Sequence, residues 1–525
     1  MQPPPQLSRR RFLELVGSSG GASAAYGVAM ALGLLPDFAN GASIPSALMR
    51  PRSPQRVVIL GAGIAGLAAA YELGRAGYEV TVLEASARAG GRNFTVRHGT
   101  VIDEIGARQV CDFDDHPNLY FNAGPARIPG NHRRLLHYCR VLGVPLEVFV
   151  NENRSAYVQD DRMLGGRPIR NREYVTDMRG FLSELLCKAM SPQAMDGTLS
   201  ADDIERVREF ARAYGDLGPD HTYQGSHRAG IAGGGMIIPA SERDPFELKE
   251  LLKSDFWRFP MHWGELGDQA TPMMQPVGGM DRIVAGFMRQ VGSMVRLNCP
   301  VRGVFLRPGG VRVAYQDANG ERQEIDATYC LNSIPSHLLS GIEHNFPARY
   351  ARALQAPTRG KLFKIGLQAR ERFWEREGIY GGISWTFQDI AQIWYPSHGI
   401  HSAKGIVLGA YTFPPQVGEK FARLTPAERI AKAIREGEKV HPGYGSYMQT
   451  GISVAWHRMN HMLGCAARWD EQNRREYFPT LAAPVGNHFM IGDQVSYHAG
   501  WQEGALASAL KVIEQIDERT TMAST

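Results

Sequence analysis

The sequence predicts a mixed α/β (α+β) protein organised around a βαβ unit and interrupted by inserted segments. Three observations carry this reading. A glycine-patterned strand–helix–strand stretch occupies residues 57–92, a second glycine-rich segment lies near the far end at residues 491–505, and the pattern between them passes from helical to strand-rich. In the first stretch, Val57 to Leu60 form a short buried strand, followed by Gly61, Gly63 and Gly66 in G-x-G-x-x-G spacing. Such glycines permit a tight turn, close backbone approach to a pyrophosphate and close helix–strand packing. The helix opening at Ile64 and Ala65 directs unpaired N–H groups at phosphate. A second strand, Glu79 to Leu83, ends at Glu84 and Ala85, where the Glu84 carboxylate is placed to accept hydrogen bonds from ribose hydroxyls. Strand, glycines, helix, strand and terminal acid in register indicate a Rossmann-like dinucleotide site.

A chain of 525 residues is long enough for several domains at about 150 residues each. The net charge of +5 is small, and no basic run outside the N-terminus points to nucleic acid. Ser8-Arg9-Arg10-Arg11-Phe12-Leu13 is a twin-arginine pattern, followed by a weakly apolar stretch rich in Gly, Ala and Ser. Residues 1–50 therefore read as an export leader rather than a membrane anchor, which implies a periplasmic or secreted protein. None of the six cysteines (Cys111, Cys139, Cys187, Cys299, Cys330, Cys465) forms a C-x-x-C pair, so no metal site is expected and isolated buried thiols are the default.

After Arg92 the chain leaves the simple repeat. Residues 151–273 carry helix signals: Ser200 with Asp203 resembles a cap before IERVREFARAYG, and residues 174–190 and 247–257 have apolar positions at helical spacing. The glycine-rich residues 225–235 read as a loop. From about 290 the pattern turns to strands, at residues 295–297, 301–306, 311–315, 364–368, 392–395 and 406–411. A last strand, 488–491, precedes a helix over 501–516. The expected organisation is a discontinuous nucleotide-binding domain (53–108, 274–346, 484–520), a mixed-sheet substrate domain (109–150, 347–483) and a helical domain (151–273).

The extension Gly90-Gly91-Arg92 lets backbone approach phosphate while Arg92 offers a planar donor fork. With it, LEASARAGGR resembles the flavin-binding segment of the flavin amine oxidase superfamily, which includes monoamine, polyamine and L-amino acid oxidases. The resemblance implies FAD as cofactor. At the other end, Gly492-Asp493-Gln494 leads through Gly500-Trp501-Gln502 into a helix whose N-terminal dipole would stabilise negative charge on a reduced flavin. This segment is similar to the flavin-closing motif of L-amino acid oxidases. By that resemblance Asp493 contacts the ribityl or phosphate portion, the Gly500 carbonyl accepts from the substrate amine, and Trp501 walls the pocket.

Gly124-Pro125-Ala126-Arg127-Ile128-Pro129 resembles the segment of L-amino acid oxidases whose arginine binds the substrate carboxylate, giving Arg127 that role. Arg108, in the partly similar Glu104 to Arg108, is the lesser candidate. The resemblance also implies that Lys364, ten residues before Trp374, holds a water near the flavin and assists reaction with oxygen, with Lys361 nearby as a competitor. In Ile393-Trp394-Tyr395-Pro396, Tyr395 would give the carboxylate a second hydrogen bond, with Trp394 as packing or pocket wall. Trp456 would pack beside the flavin, and Val301 would read the adenine through its backbone. Cys465 stands nine residues after Trp456, the offset of a covalent flavin link in monoamine oxidases, but the resemblance to L-amino acid oxidases implies FAD held without a covalent bond.

The resemblance thus implies an oxidase that deaminates L-amino acids to 2-oxo acids, releasing ammonia and hydrogen peroxide. Its partners would be a small-molecule substrate and oxygen, without nucleic acid or stable membrane insertion, and a homodimer is left open. Three alternatives stay open at this point: an amino acid 2-monooxygenase, an amine or polyamine oxidase, and a flavoprotein without turnover.

Overall fold

Five parallel strands form the sheet that carries the glycine-rich turn: β1 (Arg56–Leu60), β2 (Glu79–Leu83), β3 (Val295–Arg296), β4 (Tyr329–Asn332) and β5 (His488–Met490), in the order β3-β2-β1-β4-β5. The computed structural model describes residues 48, 50, 51, 54–190 and 199–522, so the twin-arginine pattern lies outside the described residues. Val57 pairs with Val80 on one side and Tyr329 on the other, and Cys330 pairs with His488. The sheet is therefore assembled from three separate stretches of chain. β1 is covered on both faces, which is why it reads as a continuous apolar run rather than an alternating one. Helices Ile64–Arg75, Asp281–Val291 and Gln502–Met522 supply residues of the core on one face. The last of these runs past the 501–516 expected from the sequence.

The second large sheet has seven strands, in the order Ile169–Arg170, Tyr157–Gln159, Gly382–Thr386, Gln392–Tyr395, Gly405–Thr412, Phe363–Ala369 and Met448–Ala455. All neighbours are antiparallel except Tyr157–Gln159 beside Gly382–Thr386. The two leading strands fall in the stretch read as helical from 151. They are two and three residues long, too short for a periodicity to show.

The helical reading holds for Asn171–Ala189 and for Ala201–Gly215, where Ser200 and Asp203 form the expected capping box. It fails over 247–257, where only Leu248–Leu251 is helical. The amides of Lys253 and Ser254 there bond carbonyls three residues back, a tightening that ends the ladder. Residues 225–235 are not a plain loop: Ile231–Gly233 pairs with Ser241–Glu242 as an exposed hairpin. Among the described residues, no helix is long and apolar enough to cross a membrane.

Gly66 shows why the glycine spacing matters. A Cβ built there would stand 2.1 Å from the Gly61 carbonyl oxygen, so the helix can sit on the turn only without a side chain. Gly66→Ala is expected to prevent that seating. The purified variant should lack flavin absorbance; full flavin content at a wild-type melting temperature would contradict the close-packing role.

Candidate active site

A cavity of about 1310 Å³ runs between the two sheets. Its walls come from the glycine-rich turn, the segment 83–94, residues 123–127, the strand ends near Val301 and Ser333, the antiparallel sheet at Lys364 and Tyr411, and the closing segment 492–505. Of the expected site residues, Gly61, Gly63, Ile64, Ala65, Glu84, Ala85, Gly91, Arg92, Gly124, Pro125, Ala126, Arg127, Val301, Lys364, Trp456, Gly492, Asp493, Gly500, Trp501 and Gln502 line it. Gly66 sits behind the turn in its packing role, and Tyr395 lies elsewhere.

At the dinucleotide end, Gly61 turns with φ +97°, and a Cβ on Gly63 would meet nothing within 4 Å, so open space faces the helix start. The helix has no side-chain cap there, which leaves its first N–H groups free for an anion. Glu84 is buried and accepts from the Ala62 amide (2.8 Å) and from the Ser86 amide (2.9 Å) and hydroxyl (2.7 Å). These bonds hold the carboxylate at the strand end, and its remaining lone pairs face the cavity. Arg92 grips buried Asp493 through both terminal nitrogens, one of them at 3.1 Å, and Asp493 also accepts from the Gly500 amide at 2.8 Å. One carboxylate thus ties the GGR extension to the closing segment. Arg88 and Arg359 also line the cavity, and burial pushes each guanidinium down to about 10. Three half-buried arginines near two carboxylates, with an uncapped helix start, suit a ligand carrying phosphates.

At the other end Arg127 is 8% exposed, and among the described residues no carboxylate pairs with it. Its Nε donates to the Gln269 amide oxygen at 3.2 Å, and its guanidinium lies 4.7, 5.3 and 5.7 Å from the ring centres of Trp394, Trp263 and Trp501. Burial lowers its pKa to about 10. Arg108, by contrast, is exposed on the hairpin Val101–Glu104/Ala107–Val110 at the cavity's outer rim, which removes it from contention as a buried anchor.

Lys364 is buried, and its Nζ donates to the carbonyls of Asn122 (3.0 Å) and Gly124 (2.6 Å). Burial, reinforced by the positive charge of Arg127, brings it down to about 7. Lys361 is instead exposed and paired with Glu419. Trp456 is buried and donates to the Ala123 carbonyl at 2.8 Å. Cys465 stands in the same wall as a free thiol.

Tyr395 is the correction. Successive side chains of a strand point to opposite faces, and Trp394 takes the face towards Arg127. Tyr395 is turned into the core behind the sheet, where its hydroxyl bonds Ser384 (2.6 Å) and His441 (2.5 Å). The tyrosine that does line the cavity is Tyr411, cross-strand partner of Lys364, whose ring centre lies 4.6 Å from Lys364 Nζ. Sequence reasoning missed it, and missed Trp263 and Gln269, which come from the end of the helical block. No motif marks any of the three; only the fold brings them to Arg127.

The geometry is that of a long cavity, suited to phosphates at one end, that ends in an aromatic, cationic pocket. A family model described as flavin containing amine oxidoreductase matches residues 64–516. The L-amino-acid oxidase of Pseudechis australis is 26% identical over 492 residues, covering 90% of this chain and 88% of that protein. The putative L-amino-acid oxidase YobN of Bacillus subtilis is 25% identical over 497 residues, covering 90% and 97%. Among solved structures, putrescine oxidase bound to putrescine aligns with a TM-score of 0.59 at 20% identity, over 88% of this chain and 99% of that one. Cyclohexylamine oxidase from Brevibacterium oxydans aligns with a TM-score of 0.59 at 16% identity, over 89% and 99%. These two likenesses show the fold. A match across 64–516, on a chain whose glycine turn, GGR extension and closing segment converge on one cavity, places this protein in the flavin-containing amine oxidoreductase family, with FAD as its cofactor.

Proposed function

We propose that the chain is an L-amino acid oxidase, which converts an L-amino acid, water and oxygen to a 2-oxo acid, ammonia and hydrogen peroxide. The observation that carries this is Arg127: a guanidinium buried among three tryptophans, with no carboxylate paired to it among the described residues. Leaving a buried cation unpaired is costly, and a ligand carboxylate is the group that would satisfy it. A simple amine gives it nothing.

When bound, FAD supplies the acceptor for two electrons. The chain's own residues bind and orient. Arg127 fixes the carboxylate by charge and by a planar fork, with Gln269 holding Nε so that the fork is aimed. Trp263, Trp394 and Trp501 keep water away from that contact and strengthen it. The Gly500 carbonyl accepts a hydrogen bond from the neutral amine, its amide being anchored on Asp493. Lys364 holds a water at Nζ and can keep or give up a proton there near neutral pH. We further propose that FAD is held without a covalent bond and that the twin-arginine pattern exports the folded protein.

Anaerobic mixing with a panel of L-amino acids tests the reading. Bleaching of the flavin by amino acids is expected, followed in air by equal amounts of peroxide and ammonia. An amide product would point to oxidative decarboxylation, and bleaching by amines but not by amino acids would sink the assignment. Acid precipitation of the same protein should leave a colourless pellet.

A further inference from the structure

We propose that His132, Asp268 and His498 form a binding site for a divalent metal ion of the zinc class beside the Trp501 wall. The cysteine spacing gave no reason to expect a metal, and these three residues lie 136 and 366 positions apart, measured from His132. The fold brings them together from the N-cap position of helix Arg133–Val141, the end of the helical block, and the loop before Trp501.

The distances carry the proposal. His132 Nε2 lies 3.3 Å from Asp268 Oδ1 and 3.2 Å from His498 Nε2, and His498 Nε2 lies 3.4 Å from Asp268 Oδ2. One ligand atom from each residue falls within 4.8 Å of the others. Around a tetrahedral zinc with bonds of about 2.0–2.1 Å, ligand atoms stand about 3.3 Å apart. The two imidazole nitrogens thus stand at that edge length from each other, and each stands at it from one oxygen of Asp268, Oδ1 for His132 and Oδ2 for His498. Two imidazoles and one carboxylate are a donor set that zinc takes, leaving the fourth position for water.

Hydrogen bonding alone satisfies this triangle poorly. Each ring has one Nε2, with a proton or a lone pair but not both. If both rings donate to Asp268, two N–H groups confront each other at 3.2 Å. If one ring donates to the other, the accepting nitrogen turns its lone pair towards the carboxylate. A cation on the shared side satisfies all three contacts at once. His132 is 2% exposed, and its Nδ1 meets no partner among the described residues, so the polar contacts of that ring all lie at Nε2. His498 and Asp268 keep 38% and 24% of their side-chain surface open, which gives an ion its way in.

The site borders the pocket without being part of it. The His132 and His498 rings lie 4.9 and 6.1 Å from that of Trp501, and Asp268 precedes Gln269, the support of Arg127. The assignment rests on these side chains alone and not on the proposed substrate.

The test uses purified holoenzyme, stripped with chelator and dialysed against zinc, with bound zinc measured by mass spectrometry and no turnover involved. Wild type should retain a single equivalent and melt at a higher temperature with zinc. His498→Ala and Asp268→Asn should keep their flavin absorbance yet bind zinc more weakly by over roughly 100-fold, since changing even an outer partner of a metal ligand costs about 10–100-fold. His498 is half-exposed, so its removal spares the core. No stoichiometric zinc in wild type, or equal uptake by both variants, overturns the site.

Discussion

Arg127→Met lowers kcat/KM for L-amino acids by about 10²–10³-fold, as expected for removing one partner of a buried charge pair worth roughly 3–4 kcal/mol. Methionine keeps much of the arginine's apolar volume, so the tryptophan cage around residue 127 stays filled and the loss reports the charge. Among the described residues no carboxylate pairs with the arginine, so its energy is available to a ligand rather than already spent within the fold. Two readouts separate this from general damage. Flavin content should stay at the wild-type level, because the Arg92–Asp493 pair and the glycine turn lie at the other end of the cavity. Oxidation of a simple amine lacking a carboxylate should be unchanged or improved, because the variant no longer strands a buried cation beside an uncharged group. Unchanged kcat/KM for amino acids would remove Arg127 from the substrate site and revive the amine oxidase reading.

Lys364→Met separates the two halves of the cycle. Flavin reduction by an amino acid under anaerobic conditions should change little, since Nζ is anchored on the carbonyls of Asn122 and Gly124 rather than on the carboxylate pocket. Reoxidation by oxygen should slow by about 10²-fold, the lower end of what a positioned proton donor contributes. Equal slowing of both half-reactions would count against a role directed at oxygen.

The same variant carries a stability signature. Burial, with Arg127 nearby, holds the folded-state pKa of Lys364 at about 7, whereas an unfolded lysine titrates near 10.4. Between those values the unfolded chain binds a proton that the folded chain does not, so this group makes stability rise with pH across that window. Below about pH 7 its full penalty is present. Lys364→Met should therefore melt higher than wild type at pH 7, with the difference shrinking towards pH 10. A difference independent of pH would mean that the lysine is not buried as a titrating group.

The sequence exposed the parts of the site that backbone geometry forces. A turn that approaches phosphate closely needs glycine at Gly61 and Gly66, and their spacing is written locally. Arg127 and Lys364 were legible because each belongs to a short contiguous pattern. Tyr395 was misplaced because a strand offers its side chains alternately to two faces, and four buried residues in a row, Gln392–Tyr395, give no polarity by which to choose. Tyr411, Trp263 and Gln269 were invisible for another reason. Their place beside Arg127 and Lys364 arises from cross-strand pairing and from a loop over 130 residues away, and nothing local records that. The triad of His132, Asp268 and His498 is hidden in the same way.

The pair between Arg92 and Asp493 spans 401 positions of sequence. Synthesis therefore delivers the GGR segment 401 positions before the residue that locks it. Contacts so distant in sequence make assembly slow, and the cofactor can be gripped from both ends only once Asp493 has emerged and paired with Arg92. Firm loading with FAD is then expected to wait for Asp493, and loss of β5 and of helix Gln502–Met522 would leave a nucleotide fold that forms its first turn but never latches.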